Sequence, residues 1–251
     1  MEAKRADKIV CPTFQIGGEF GFSGERVSMT KCSFEESKRE QHSFLAHLEK
    51  RVLLLLASWM PTRINSDHLT ALGFLAMLMA GLSYYWSRSN SMFLHWVNFF
   101  ILVNWFGDSL DGTLARFRNK TRPRYGFYVD HILDTFSTLF LIGGMALSGR
   151  MSQQVAAALL VVYFMLCINV YLATYTMGTF KISFGKLSPT ELRILLAAGN
   201  LFVLYHPRVE IMGEKFWLFD VGGAVAIVII ALILLTSTIR NVRVLYREEK
   251  V

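Results

Sequence analysis

The chain has 251 residues, of which 53% are hydrophobic and only 18% charged, with a formal net charge of +7. So apolar a composition excludes an ordinary soluble domain and implies several membrane spans in one integral membrane domain. A basic balance fits nucleic acid, but it serves equally to fix topology and to hold anionic lipid, so its placement along the chain has to decide.

Residues 1–40 are polar and Gly-rich, as in Ile16-Gly-Gly-Glu-Phe-Gly-Phe-Ser-Gly24, which reads as a cytoplasmic extension without a packed core. They show neither the apolar centre nor the cleavage pattern of a secretory signal, so the N-terminus is expected to be kept. Cys11, Cys32 and Cys167 are odd in number and lack CxxC spacing, which supports neither a disulfide framework nor a zinc site. From Ser43 to Met60, Phe44, Leu45, Leu48, Val52, Leu55, Leu56 and Trp59 recur at helical spacing opposite His47, Glu49, Lys50 and Arg51. This pattern predicts an amphipathic helix over 43–60 lying in the membrane interface. The competing reading is a surface helix packed on the rest of the protein.

Apolar runs of about the length of a span follow near residues 69–86, 92–106, 127–147, 155–177, 192–205 and 218–239. The second and fifth are short and gain length by continuing through Asp111 and starting at Pro189. The predicted fold is therefore all-α, with six transmembrane helices and both ends on one side. With that layout only Arg88, Arg150, Arg208 and Lys215, of 26 basic residues, fall on the opposite side. The positive-inside rule then makes both termini cytoplasmic. The basic charge is mostly topological, and no nucleic-acid partner is expected.

Between the second and third runs the chain reads Asp108-Ser-Leu-Asp111-Gly112-Thr-Leu-Ala115-Arg116, then Gly126, then Asp130-His131-Ile-Leu-Asp134. Ionisable groups at a membrane boundary are costly and mark function. Spacings of three and four residues put each aspartate pair on one helical face, and a cytoplasmic hairpin apposes the two pairs. Such a cluster stays ionised only if hard cations such as Mg²⁺ or Mn²⁺ neutralise it, and two ions suit attack at phosphorus. Gly112, Ala115 and Gly126 leave helix faces open to a bulky group. Arg116 offers a planar fork for phosphate, with Arg118, Lys120, Arg122 and Arg124 adding positive field.

The pattern DxxDGxxAR…GxxxDxxxD resembles the signature of the CDP-alcohol phosphotransferases, and it is complete at Asp108, Asp111, Gly112, Ala115, Arg116, Gly126, Asp130 and Asp134. The resemblance extends from about Ser43 to Glu249 and leaves out residues 1–40. It implies a homodimeric membrane transferase that moves a phosphoalcohol from a CDP-alcohol donor to an alcohol or lipid acceptor and releases CMP. It further implies metal ligation by Asp108, Asp111 and Asp130, a general base at Asp134 that also touches metal, and a CDP site at Gly112, Ala115, Arg116 and Gly126.

His131 and the segment Ser188-Pro189-Thr190-Glu191 resemble elements of the choline and ethanolamine phosphotransferases, which makes His131 a second candidate base. They tilt the expectation toward CDP-choline or CDP-ethanolamine with diacylglycerol. The alternative is transfer from CDP-diacylglycerol to a small polar alcohol such as glycerol phosphate, inositol phosphate or serine. Each has a plainer reading: His131 points about 100° away from Asp130, and Ser188, Pro189 and Glu191 make a capping box. Arg193, Lys181 and Lys186 are candidates for a lipid phosphate, or simply topological charge. Asn104 and Asn169 either line the cleft or bond between helices. A carboxylate-based cation transporter explains the aspartates but not Gly112, Ala115, Arg116 and Gly126; a membrane scaffold explains neither.

Overall fold

The computed structural model describes residues 46–177, 189–211 and 213–249. Seven helices appear among them: α1 Ala46–Trp59, α2 Ser66–Trp86, α3 Phe93–Phe117, α4 Pro123–Leu147, α5 Gln153–Met177, α6 Pro189–Tyr205 and α7 Leu218–Glu248. The expected extension over residues 1–40, the start of the interfacial helix at Ser43, and Lys181, Lys186 and Ser188 lie outside the described residues.

Helices α2 to α7 fall on the six apolar runs, and α2, α5 and α7 are long and apolar enough to cross a membrane. Helices α3 and α4 carry aspartates and arginines along the motif, and α6 has 17 residues, so these three fall short of that measure and the six-span expectation is met for three helices among the described residues. The 31 residues of α7 extend about 46 Å at 1.5 Å per residue, well beyond a hydrocarbon core of about 30 Å. An apolar run ending near 239 underestimates it because Arg240, Arg243 and Arg247 continue the same helix.

The all-α expectation needs one addition. Before α7 the chain makes a hairpin, β1 Arg208–Ile211 with β2 Glu214–Trp217, antiparallel and in the register Arg208 to Trp217. Gly213 adopts φ of 86° at its turn, a conformation open to glycine at no steric cost. Arg208 lies over the Trp217 ring at 4.5 Å.

Helix α2 packs against α3 and α4, α3 also holds α1 and α6, and α5 packs on α7. Close approach depends on glycine pairs. A Cβ on Gly107 would stand 2.6 Å from the Leu69 carbonyl oxygen and 2.8 Å from Gly73 N, and one on Gly81 or Gly144 would collide with the facing helix. Small residues at these crossings let the backbones of α2, α3 and α4 meet, as helices in lipid require. Buried polar groups join the helices further. Tyr84 donates to Asn200 Oδ1 at 2.6 Å, and Asn200 Nδ2 donates to Asn98 Oδ1 at 2.7 Å. Asn169 donates to Ser237 Oγ at 3.1 Å, tying α5 to α7, so it bonds between helices and is not among the cleft-lining residues.

Helix α1 has two apolar faces. Leu53 and Ala57 are buried against Leu69, Leu110 and Leu114, whereas Val52, Leu55 and Trp59 are exposed, Trp59 by 73%. Of the predicted apolar stripe, Val52, Leu55 and Trp59 thus face outward while Leu56 packs inward, and the packed seam runs one step round the helix through positions 49, 53 and 57.

Candidate active site

Two local structures bring the motif together. The Gly73–Gly107 crossing draws the first turns of α2 against the end of α3, and there Thr70 Oγ1 donates to Asp111 Oδ2 at 2.6 Å. At the start of α2 the Asn65 N–H donates to His68 Nδ1 at 3.2 Å, closing the first turn. Helix α4 begins with Pro123 at its first position, where a missing N–H costs nothing. Its Gly126, Asp130 and Asp134 then follow at four-residue intervals on one face.

All four aspartates line a single narrow cleft, together with Thr70, Gly73, Asn104 and Ser137. Asp111 is the most enclosed, 8% exposed, and its other oxygen accepts from the Gly112 N–H. Asp108 Oδ2 accepts from Arg193 Nη2 of α6 at 2.6 Å. Asn104, one turn deeper in α3, gives its Nδ2 to the Gly73 carbonyl at 3.0 Å, while its buried Oδ1 has no hydrogen-bond partner among the described residues. It therefore both bonds between helices and lines the cleft.

Among the described residues no three acidic, histidine or cysteine side chains stand close enough, as placed, to enclose a metal ion. Asp111 is turned to Thr70 and Asp108 to Arg193. The donor chemistry nevertheless fits a hard divalent cation. Four carboxylates share the cleft, its lining contains no sulfur or imidazole, and the orphaned Asn104 oxygen adds a neutral oxygen donor.

The residues expected to receive the diphosphate sit beside this cleft. The Arg116 guanidinium lies over Gly112, where an added Cβ would meet Nη1 at 3.4 Å; at Gly126 an added Cβ would meet nothing within 4 Å. Arg116 and Ala115 follow on the last turns of α3. Other basic residues of this region have different work. Arg118 donates to the carbonyls of Met60, Pro61 and Ile64, fastening the α1–α2 connection to the end of α3. Arg122 pairs with Asp67, whose hydrogen bond raises the guanidinium pKa above its ordinary value. The guanidinium donors of Arg118 and Arg122 are thus engaged locally.

His131 is not among the cleft-lining residues. Its ring lies 4.2 Å from Phe127 and edge-on to Tyr171 of α5 at 5.3 Å, and Nδ1 is 2.6 Å from the Phe127 carbonyl. Thr190 of the Pro-Thr-Glu segment reaches Glu49 Oε1 at 2.8 Å. The sequence reading missed Thr70 on Asp111 and Arg193 on Asp108, both of them contacts between helices far apart in the chain. A polar residue within the first turn of an apolar span was the available signal for Thr70. A wider cavity at the other end of the helices, lined by Arg88, Ser152, Gln153 and Trp217 among others, contains no carboxylate.

A stretch of 161 residues is 27% identical to archaetidylinositol phosphate synthase of Pyrococcus horikoshii, covering 62% of this chain and 79% of that protein. The profile of the CDP-alcohol phosphatidyltransferases matches residues 64–237, more than half of the chain, from the start of α2 into α7 and so across every residue lining the carboxylate cleft. The chain belongs to the CDP-alcohol phosphatidyltransferase family, membrane transferases of phospholipid biosynthesis.

Proposed function

We propose that the protein transfers a phosphoalcohol group from a CDP-linked lipid to a small polar alcohol, with release of CMP, at the cleft between α2, α3 and α4. The observation that carries this reading is the convergence of Asp108, Asp111, Asp130 and Asp134 on one cleft. These four would hold two divalent ions, Mg²⁺ or Mn²⁺, which when bound neutralise the diphosphate and stabilise the entering and leaving oxygens. Arg116, lying over Gly112, grips the diphosphate, and the open face at Gly126 admits it. Asp134 accepts the proton of the acceptor hydroxyl. The acceptor oxygen bonds to the phosphorus that carries the lipid alcohol, the bridging P–O bond breaks, and CMP leaves with that bonding pair.

The donor assignment departs from the aminoalcohol preference suggested by His131 and the Pro-Thr-Glu segment. His131 packs against Phe127 and Tyr171 away from the cleft lining, which favours Asp134 as base. The relative from Pyrococcus horikoshii is named for an inositol phosphate lipid, which favours a phosphorylated polyol as acceptor. Both ends of the chain and the cleft would face the cytoplasm, and α3, α4 and α6 would complete a six-span bundle that works as a homodimer.

Purified protein in micelles, offered labelled CDP-diacylglycerol, CDP-choline and CDP-ethanolamine with a panel of acceptors, is expected to release CMP from the lipid donor with inositol phosphate or glycerol phosphate. Turnover confined to CDP-choline or CDP-ethanolamine with diacylglycerol would overturn the donor assignment. Gly126→Leu separates access from folding. The space beside Gly126 is open, so thermal unfolding should move little, while kcat/KM for the donor falls on the order of 10-fold or more because the side chain occupies the approach. Unchanged kcat/KM would remove Gly126 from the donor site.

A further inference from the structure

We infer that Glu49, on the interfacial helix α1, is a positioning residue for the cleft: it ties the α6 turn that delivers Arg193 to the part of α3 that carries Asp108. This rests on the assignment of Asp108 to the catalytic cleft. Glu49 belongs to the polar face of α1 by sequence, but it stands on the 49, 53, 57 seam that packs on α3. A single oxygen, Oε1, accepts from Trp105 Nε1 at 3.0 Å, Ser109 Oγ at 3.4 Å and Thr190 Oγ1 at 2.8 Å.

Trp105 and Ser109 are one turn apart on α3, and Ser109 adjoins Asp108. Thr190 is three residues before Arg193 on α6, and Arg193 donates to Asp108 at 2.6 Å. The contacts therefore close a ring from Glu49 through Thr190 and Arg193 to Asp108, Ser109 and back. The two lone pairs of Oε1 take the shorter bonds from Thr190 and Trp105, with Ser109 a longer, shared contact, and charge-assisted bonds are the stronger kind. The residues of this ring lie on three helices; α1 packs on α3 along its seam and bonds to α6 through Glu49. Helix α1 thus does more than rest at the interface: through Glu49 it sets where Arg193 stands relative to Asp108.

CMP release and thermal unfolding of the purified protein are measured for Glu49→Leu, Glu49→Gln, Thr190→Val and Arg193→Gln, and for Glu49→Leu and Thr190→Val each combined with Arg193→Gln. Glu49→Leu should lower kcat/KM by on the order of 10²-fold, the loss that a displacement of about 1 Å produces in an active site. Glu49→Gln keeps an acceptor oxygen and should recover most of that loss. Thr190→Val should cost part of it without lowering the unfolding temperature, which keeps the test open if Glu49→Leu folds poorly. Each double variant should be no slower than Arg193→Gln alone, because the ring acts through Arg193. Losses that multiply in the double variants, or an unimpaired Glu49→Leu, would overturn the inference while leaving the proposed function standing. Absence of CMP release from the wild-type protein would contradict the proposed function, and this inference with it.

Discussion

Replacing Asp111 by Asn is expected to lower kcat about 10³-fold or more while leaving the protein at least as resistant to unfolding as the wild type. Asp111 is the most enclosed of the cleft carboxylates, between Thr70 and the Gly112 N–H. The Asn side chain is nearly the same shape; its carbonyl oxygen can accept from the Gly112 N–H while Nδ2 donates to Thr70 Oγ1, whose own proton goes to the Ser66 carbonyl, so packing survives. Without metal, Asp111 shares its cleft with Asp108, Asp130 and Asp134, and loss of one negative charge relieves repulsion. Turnover responds the other way. A ligand that places a divalent ion against the diphosphate supplies several kcal/mol of charge stabilisation in the transition state, and each 1.4 kcal/mol or so is tenfold in rate. A variant that unfolds at a lower temperature and keeps its rate would make Asp111 a structural residue. CMP release and differential scanning of the metal-free protein distinguish the cases.

Gly107→Ala should damage both properties together. The added Cβ would lie 2.6 Å from the Leu69 carbonyl oxygen and 2.9 Å from Gly73 Cα, backbone atoms that cannot turn aside as a flexible side chain can. Helices α2 and α3 must separate, at an overpacking cost of about 1–3 kcal/mol. The same shift pulls Thr70 from Asp111 and Asn104 from the Gly73 carbonyl, contacts of 2.6 and 3.0 Å, so activity should fall beyond what the unfolded fraction explains. Gly143→Ala on α4, with nothing within 4 Å of its added Cβ, is the matched control and should leave stability within about 0.5 kcal/mol of wild type. Equal behaviour of the two variants in unfolding and turnover would contradict this account of the α2–α3 crossing.

The contrast between these residues shows what could be read from the chain. Helix positions were legible because apolar runs and their punctuation are local, and so were the aspartate faces of α3 and α4, because three- and four-residue spacings need no knowledge of neighbours. Contacts between helices were not. Thr70 on Asp111, Arg193 on Asp108 and Thr190 on Glu49 link positions 41, 85 and 141 residues apart, and no periodicity encodes them. Glu49 looked solvated because a polar residue on a short amphipathic helix ordinarily is, and the packed seam of α1 was not the stripe richest in large apolar residues. Arg118 and Arg122 counted as field for a phosphate when only their charge was visible; the fold spends them on the carbonyls at 60, 61 and 64 and on Asp67. The glycine crossings were hidden for a different reason: a glycine inside an apolar run reads as a weak spot until its facing backbone is known.

The decisive measurement is CMP release from a CDP-linked lipid by the purified protein as Mg²⁺ or Mn²⁺ is withdrawn by a chelator and then restored, run in parallel on the wild type and Asp111→Asn. A carboxylate cleft that works through divalent ions predicts release that stops on chelation, returns with the added ion, and stays near background in Asp111→Asn across the whole range of ion concentration. Release that continues undiminished in chelator, or that proceeds at the wild-type rate in Asp111→Asn, would contradict the assignment of catalysis to this cleft.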